Sequence, residues 1–211
     1  MVGLALDPPQ GGGHFSLINS AVSFAADYRE DIRDKEIVAA LVERWQPDFI
    51  FHLAAQALVS EAYAEPAATW STNVMGTLNV LDASRKLEKR CVVVIITSDK
   101  CYDNLEWEWG YRENDRLGGR DPYSSSKAAA ELLFSSFTSS YFSVPACSVR
   151  LASARAGNVI GGGDWSRDRV VPDTVRAWSA GEAVRLRNPN STRPWQHVLE
   201  PLGGYLTLAS T

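Results

Sequence analysis

Cysteine is scarce in this chain: Cys91, Cys101 and Cys147 are the three among 211 residues. An odd number without a CxxC spacing excludes a disulfide-built scaffold, suits a reducing cytosol and leads us to expect no metal centre. Long apolar runs are missing as well, since none approaches the roughly 18 residues of a membrane-spanning helix. Nor is there a basic stretch: 21 Lys+Arg face 25 Asp+Glu, a formal net charge of −4, which argues against non-specific nucleic-acid binding. The opening MVGLALDPP has neither a basic n-region nor an extended apolar core, so no signal peptide is expected. Internal repeats, low-complexity tracts and the GK[ST] ending of a Walker phosphate loop are all lacking. What remains is an ordinary globular composition, 45% hydrophobic and 22% charged, at a length that suits one domain with a second begun.

The hydrophobic pattern supplies the fold class. Val2–Leu6, Asp48–Ala55, Cys91–Thr97 and Cys147–Leu151 are short apolar runs, with Ser23–Tyr28 a weaker one. Continuous β-branched runs mark strands buried on both faces of a parallel sheet. Between them lie helical spacings. Asp34–Trp45 sets Ile37, Val38, Leu41 and Val42 on one stripe and is closed by Pro47. Ala67–Leu87 repeats Val74, Leu78, Leu81 and Leu87, and Tyr123–Phe142 carries Ala128, Leu132, Leu133 and Phe137. Strand–helix alternation predicts βαβ units with right-handed crossovers. Past Gly157 the pattern changes to a Gly-rich loop, a short helix (Val170–Ala180), a short strand (Ala183–Arg187) and an Arg/Pro/Trp loop. Residues 1–156 therefore read as an α/β domain and 157–211 as part of a smaller lobe, with the loop tryptophans Trp107, Trp109, Trp165 and Trp195 packing the two together.

Tyr123-Ser-Ser-Ser-Lys127 opens the third helical segment. An i,i+4 pair shares a helical face, so the ammonium is expected beside the phenol, pulling its pKa from about 10 towards neutrality. A base of that kind takes a proton from a hydroxyl while hydride leaves the same carbon. Thr97-Ser98-Asp99-Lys100 follows the strongest strand, at the end where open α/β sheets place ligands. There the hydroxyl of Ser98 or Thr97 would bond a reacting oxygen and Asp99 would serve as a general acid, although these residue types equally suit a helix cap or turn. The run His52-Leu53-Ala54-Ala55-Gln56 ends another strand, and its small residues admit either a flat ligand or a tightly packed helix. His52 itself reads as structural. Arg187 and Arg193 carry forks suited to phosphate or simply to solvent, while Asp7 and Asp31 follow the first two strands, where an acid takes ribose hydroxyls or makes a turn.

Together these segments resemble the extended short-chain dehydrogenase/reductase family, and within it the nucleotide-sugar 4,6-dehydratases. The resemblance runs nearly end to end. DIRD (Asp31–Asp34), HLAAQ (His52–Gln56) and STNVMGT (Ser71–Thr77) are common to many epimerases and dehydratases of that family. WGYREND (Trp109–Asp115) and DPYSSSK (Asp121–Lys127) continue it. TSDKCYDN (Thr97–Asn104), RAGNVIGGGDW (Arg155–Trp165) and RPWQHVLEPL (Arg193–Leu202) are much more specific. The resemblance implies a Rossmann-like doubly wound parallel sheet, bound NAD and a nucleotide-sugar substrate, CDP-glucose. Tyr123, helped by Lys127 and Ser98, would deprotonate the sugar 4-hydroxyl as NAD accepts the C4 hydride. Asp99 would protonate the departing 6-hydroxyl, and return of the hydride to C6 would regenerate NAD. Lys100 stands where relatives acting on dTDP-glucose carry a glutamate that takes the C5 proton. Asp7, Asp31, Ile32, Leu53, Ala54 and Ala55 would line the cofactor channel. Asn73 would support the active-site helix, and Asn158, Arg187 and Arg193 would face the nucleotide and diphosphate. A homodimer pairing through Ala67–Leu87 and Tyr123–Phe142 is the family's common assembly.

Two departures accompany the resemblance. The family opens with a strand and a GxxGxxG turn that holds the NAD pyrophosphate, whereas this chain starts at what matches the second strand, and Gly11-Gly12-Gly13 follows Pro8-Pro9 instead of opening a helix. The sequence likewise stops within the substrate lobe, at Leu202–Thr211. With the first strand missing from the centre of the 3-2-1-4-5-6 order, Val2–Leu6 and Phe49–Leu53 would each lack an inner partner unless the sheet closes up. Buried unpaired backbone groups cost about 1–3 kcal/mol each, against a fold stability of roughly 5–15 kcal/mol. A truncated copy of such an enzyme is therefore expected, with a 4-epimerase or an inactive nucleotide-sugar-binding fragment as the alternatives.

Overall fold

A computed structural model describes residues 1–8, 13–18 and 21–211; the Gly11-Gly12 pair lies outside the described residues. The chain runs β1 (Val2–Ala5), α1 (His14–Ile18), β2 (Ala26–Arg29), α2 (Lys35–Trp45), β3 (Phe49–His52), α3 (Val59–Ala64) and α4 (Pro66–Trp70). It continues through α5 (Gly76–Ser84), β4 (Cys91–Ile96), α6 (Pro122–Phe137), β5 (Val149–Ala154), β6 (Asn158–Ile160), α7 (Val170–Ser179), β7 (Trp195–His197) and α8 (Leu199–Ser210).

Local chemistry explains the principal helices. Asp34 caps α2 by accepting the Ile37 N–H at 3.0 Å, and Gln46 turns left-handed (φ 42°) to end it. Asp121 caps α6 by accepting the Ser124 N–H at 2.9 Å, with Pro122 in the first turn. The expected Ala67–Leu87 helix is instead α4, a π-helical turn at Ser71–Met75, and α5. The expected Tyr123–Phe142 helix likewise ends α6 at Phe137 and finishes as a π-helical turn, Thr138–Phe142.

Strands β3, β4 and β5 form one parallel ladder with β4 central, in registers such as Ile50↔Val93 and Val93↔Leu151. β4 is buried on both faces, as its unbroken apolar run requires: Cys91, Val93, Val94 and Ile95 are at most 1% exposed. β1 and β2 form a separate parallel pair with Leu4 opposite Tyr28. The two ladders do not close up against each other. The unpaired-edge cost expected from the sequence is smaller along β1, which has no buried residue, and at the start of β3, where Phe49 is 53% exposed, although His52 at the end of β3 is buried. Val38 of α2, Val80 and Leu81 of α5 and Phe142 cover β4 and β5 to make the core.

Beyond β5 the expected strand Ala183–Arg187 is not formed. The lobe is held instead by a short parallel pair, β6–β7, with Asn158 opposite Trp195. The four loop tryptophans do not bury themselves between the two parts of the chain; Trp109 is 75% and Trp165 55% exposed.

Candidate functional site

The C-terminal ends of β3 and β4, the N-terminal turns of α6 and the Gly157–Gly161 segment converge on a cavity of about 360 Å³. Its wall includes Leu53, Ala55, Ser98, Asp99, Lys100, Tyr123, Lys127 and Asn158. All five residues expected to carry catalysis thus meet in one place. The turn that follows β4 is built by Ser98, whose Oγ accepts the Lys100 N–H at 3.2 Å and donates to Asp99 Oδ1 at 3.0 Å. The helix-cap and catalytic readings of this segment are therefore compatible, since one hydroxyl shapes the turn and faces the cavity.

Tyr123 and Lys127 sit one helical turn apart, yet Lys127 Nζ donates to the Ile96 carbonyl at 3.2 Å. The cation over the phenol ring is Lys100, with Nζ 5.8 Å from the ring centroid. Contrary to the expectation from spacing, the Tyr123 pKa stands above its ordinary value: burial raises it, while the Ser98 hydroxyl and the Arg169 guanidinium pull it down. Burial drives Lys127 down to about 8, with Glu131 opposing. Lys100 is also lowered by burial, reinforced by Arg193 and Arg169 and opposed by Asp121 and Asp99.

Beneath the site, Asn73 ties three segments together. Its Oδ1 accepts the Gln56 N–H at 2.9 Å, and its Nδ2 donates to the Gln56 carbonyl at 3.0 Å and to Ser126 Oγ at 2.8 Å. Asn73 is thus a support for α6, not part of the cavity wall. His52 is buried, with Nε2 3.0 Å from Thr77 Oγ1, and burial, then Lys127, holds it neutral with a pKa of about 3. A second support escaped sequence reasoning. Glu131 of α6 accepts Arg155 Nη2 at 2.7 Å, Ser153 Oγ at 3.2 Å and the Thr97 hydroxyl. Arg155 in turn donates to Tyr102 OH and to the Glu113 carbonyl, both at 2.9 Å. Although burial pushes Glu131 up, the bonds from Arg155, Thr97 and Ser153 keep it below the ordinary range. Its only signal was a polar residue four positions past Lys127 on the buried face.

The remaining expected residues are dispersed. Asp7 is exposed after β1, and Asp31 is ion-paired to Arg33 at 2.6 Å. Ile32 packs so closely on α5 that a side chain at Gly76 would lie 2.8 Å from it. Ala54 is half-buried between Leu53 and Ala55. Arg187 and Arg193 line a neighbouring cavity of about 530 Å³, where Arg187 is ion-paired with Asp168 and, at 3.3 Å, with Asp173. Arg169, which no motif singled out, lines both this cavity and the first.

Residues 21–208 match a family model described as GDP-mannose 4,6 dehydratase. A CDP-glucose 4,6-dehydratase of Salmonella typhimurium is 49% identical over 211 residues, which cover 98% of this chain and 58% of that protein. A dTDP-glucose 4,6-dehydratase of Mycolicibacterium smegmatis is 30% identical over 80% of this chain and 48% of its own length. The chain therefore spans about half the length of the curated relatives it matches. Among solved structures, a UDP-glucuronic acid 4-epimerase from Bacillus cereus, 17% identical, superposes with a TM-score of 0.83 over 100% of this chain and 65% of its own. A dTDP-glucose 4,6-dehydratase from Streptomyces venezuelae, 23% identical, gives 0.77 over 92% and 57%. These likenesses fix the parallel-sheet, Rossmann-like fold.

Proposed function

Because the chain belongs to the GDP-mannose 4,6 dehydratase family, we propose that it carries the active site of an NAD-dependent hydro-lyase that converts CDP-glucose to its 4-keto-6-deoxy product. The carrying observation is the meeting of Ser98, Asp99, Lys100, Tyr123 and Lys127 around one cavity at the C-terminal ends of β3 and β4. The likeness to a CDP-glucose 4,6-dehydratase supports the choice of substrate.

The wall of this cavity suits a nicotinamide. Leu53, Ala55 and Ile96 offer an apolar flank with no bulky side chain at Ala55, and Tyr123 and Lys127 supply polar groups at its edge. When bound, the nicotinamide supplies a hydride acceptor and donor. Tyr123 receives the proton of the sugar 4-hydroxyl, which Ser98 orients by hydrogen bonding. Its raised pKa makes Tyr123 a strong base once the proton is lost, so the Ser98 hydroxyl and the Arg169 guanidinium carry the work of stabilising the phenolate. Lys100, on the same wall and with its pKa lowered by burial, is our candidate base for the C5 proton. Asp99, bonded to Ser98, is the acid for the departing 6-hydroxyl. Scarce cysteine and the family's chemistry support a cytosolic setting, and the family's habit supports a homodimer through α5 and α6.

The test is mass spectrometry of CDP-glucose incubated with the purified chain and NAD. A product lighter by one water supports the reading, and Tyr123→Phe should lower its rate by about 100- to 10,000-fold. Epimerisation without water loss, or wild-type turnover in Tyr123→Phe, would overturn the assignment.

A further inference from the structure

We propose that Glu131 is a positioning residue for the reaction: its buried carboxylate keeps Lys127 in the charged form and seats that turn of α6 on the end of β4. The inference rests on the functional reading above. Consecutive bonds carry it. Ile96, the last residue of β4, accepts Lys127 Nζ on its carbonyl at 3.2 Å, and the next residue, Thr97, donates its hydroxyl to Glu131. Lys127 and Glu131 stand one turn apart on the buried face of α6. One cation and one anion of a single helical face therefore clamp two successive residues at the strand end. Thr97 leads directly into Ser98, Asp99 and Lys100, so the same clamp fixes α6 against the catalytic turn.

Glu131 is 3% and Lys127 6% exposed, and in so dry an interior a charge acts with little screening. The carboxylate is itself held ionised by Arg155 at 2.7 Å, by Ser153 at 3.2 Å and by Thr97, against its burial. Even so paired, Glu131 is the foremost charge acting on Lys127, opposing the burial that brings the lysine down to about 8. The other groups around Lys127 come from each side. His52 at the end of β3 is neutral, with a pKa of about 3, and burial pushes the Cys101 thiol up to about 12. On the cavity wall stand Tyr123 of the same helix, Asp99 and Lys100 of the turn after β4, and Asp164, Arg169 and Tyr205 beyond β5. Support for the charged form comes from Glu131 first and Cys101 second. An ammonium presents donors alone to the cavity, whereas the free amine presents a lone pair beside Tyr123. Without the Glu131 carboxylate burial acts less opposed, and Lys127 should give up its proton at lower pH.

The chain has five lysines, Lys35, Lys86, Lys89, Lys100 and Lys127, so NMR of the chain labelled with carbon-13 lysine can follow each one as pH is raised. Lys127→Met identifies the resonance. In Glu131→Gln, which keeps the shape and an acceptor for Thr97, the Lys127 midpoint should fall by about one pH unit, while that of Lys100 stays in place. The alkaline limb of the kcat profile for CDP-glucose dehydration should move in the same direction, with KM little changed. Glu131→Asp keeps the charge and should restore most of both. An unmoved Lys127 midpoint overturns the proposal, as does an equal fall at Lys100 or an equal fall in Glu131→Asp. A moved midpoint beside an unmoved alkaline limb also overturns it, leaving Glu131 a structural group. A wild-type chain that dehydrates no CDP-glucose overturns the functional reading, while the titration of Lys127 still decides what Glu131 does to it. If Glu131→Gln fails to fold because Arg155 is left unpaired, Glu131→Gln with Arg155→Met removes both charges together, and a wild-type Lys127 midpoint in that double variant overturns the proposal.

Discussion

Lys127 is a cation that the fold holds against its preference for water. Its folded pKa of about 8 lies below the ordinary 10.5, so the folded state binds fewer protons than the unfolded chain between those values. The penalty is therefore complete below pH 8 and is relieved as pH rises towards 10.5. Removing the charge should help the fold: Lys127→Met is expected to raise unfolding free energy by about 1–2 kcal/mol in urea melts at neutral pH, while abolishing dehydration. A destabilised Lys127→Met would show that the bond to the Ile96 carbonyl outweighs burial. His52 acts with the same sign in a more acidic window. Its pKa falls from 6.5 to about 3 in the fold, so stability is present above 6.5 and is lost as pH drops through that window. His52→Gln should flatten this acid limb, and an unchanged limb would assign acid sensitivity to other groups. At this scale the sequence was informative about which side chains belong to the site and uninformative about their partners. The spacing of Tyr123 and Lys127 was legible, but the turn of Lys127 towards the Ile96 carbonyl, and the approach of Lys100 and Arg169, depend on residues distant in the chain.

At the level of elements, α6 carries Tyr123 and Lys127, and contacts at Gly119 and Asn73 hold its first turns. Gly119 has φ 149°, and an added Cβ would lie 2.5 Å from the Ser125 backbone nitrogen. Gly119→Ala therefore cannot be absorbed by a side-chain rotation; it must push the first turn of α6 away from the preceding loop. Turnover should fall further than NAD affinity, because Tyr123 lies in that turn. Equal losses in both would indicate general unfolding instead. Asn73 secures the first turns of the helix through Ser126, and Asn73→Ala should cost about 2–4 kcal/mol, since it orphans the Gln56 amide and carbonyl inside the structure. The interruption at Ser71–Met75 was not legible from periodicity. Val74, Leu78 and Leu81 keep helical spacing through it, so the wider turn leaves no mark in the apolar pattern. Strands were read more reliably than helix continuity: the four strong runs all contain strands, although the burial on both faces expected of them holds for β4 alone.

Across the whole molecule, the two β ladders differ in what protects them. β4 is covered on both faces and paired on both edges, by β3 and β5. β1 and β2 pair with each other, contain no buried residue, and meet the core through the partly buried Leu4. The strand order at this level was legible as a separation between the first two strands and the next three, and the structure keeps them apart. What the sequence did not disclose is how that separation is met, which is with β1 and the start of β3 exposed instead of by closure of the sheet. Opening free energy follows buried contact, so the ladders should part company in hydrogen exchange. Amides of Val93, Val94 and Ile95 should exchange only by global unfolding, whereas those of Leu4 and Tyr28 should open locally and exchange roughly 100-fold faster, a gap of about 3 kcal/mol. Exchange resolved by mass spectrometry of overlapping peptides distinguishes the two. Equal protection of both ladders would mean that they open as one unit, and that the β1–β2 pair draws its stability from the core to an extent its exposure does not suggest.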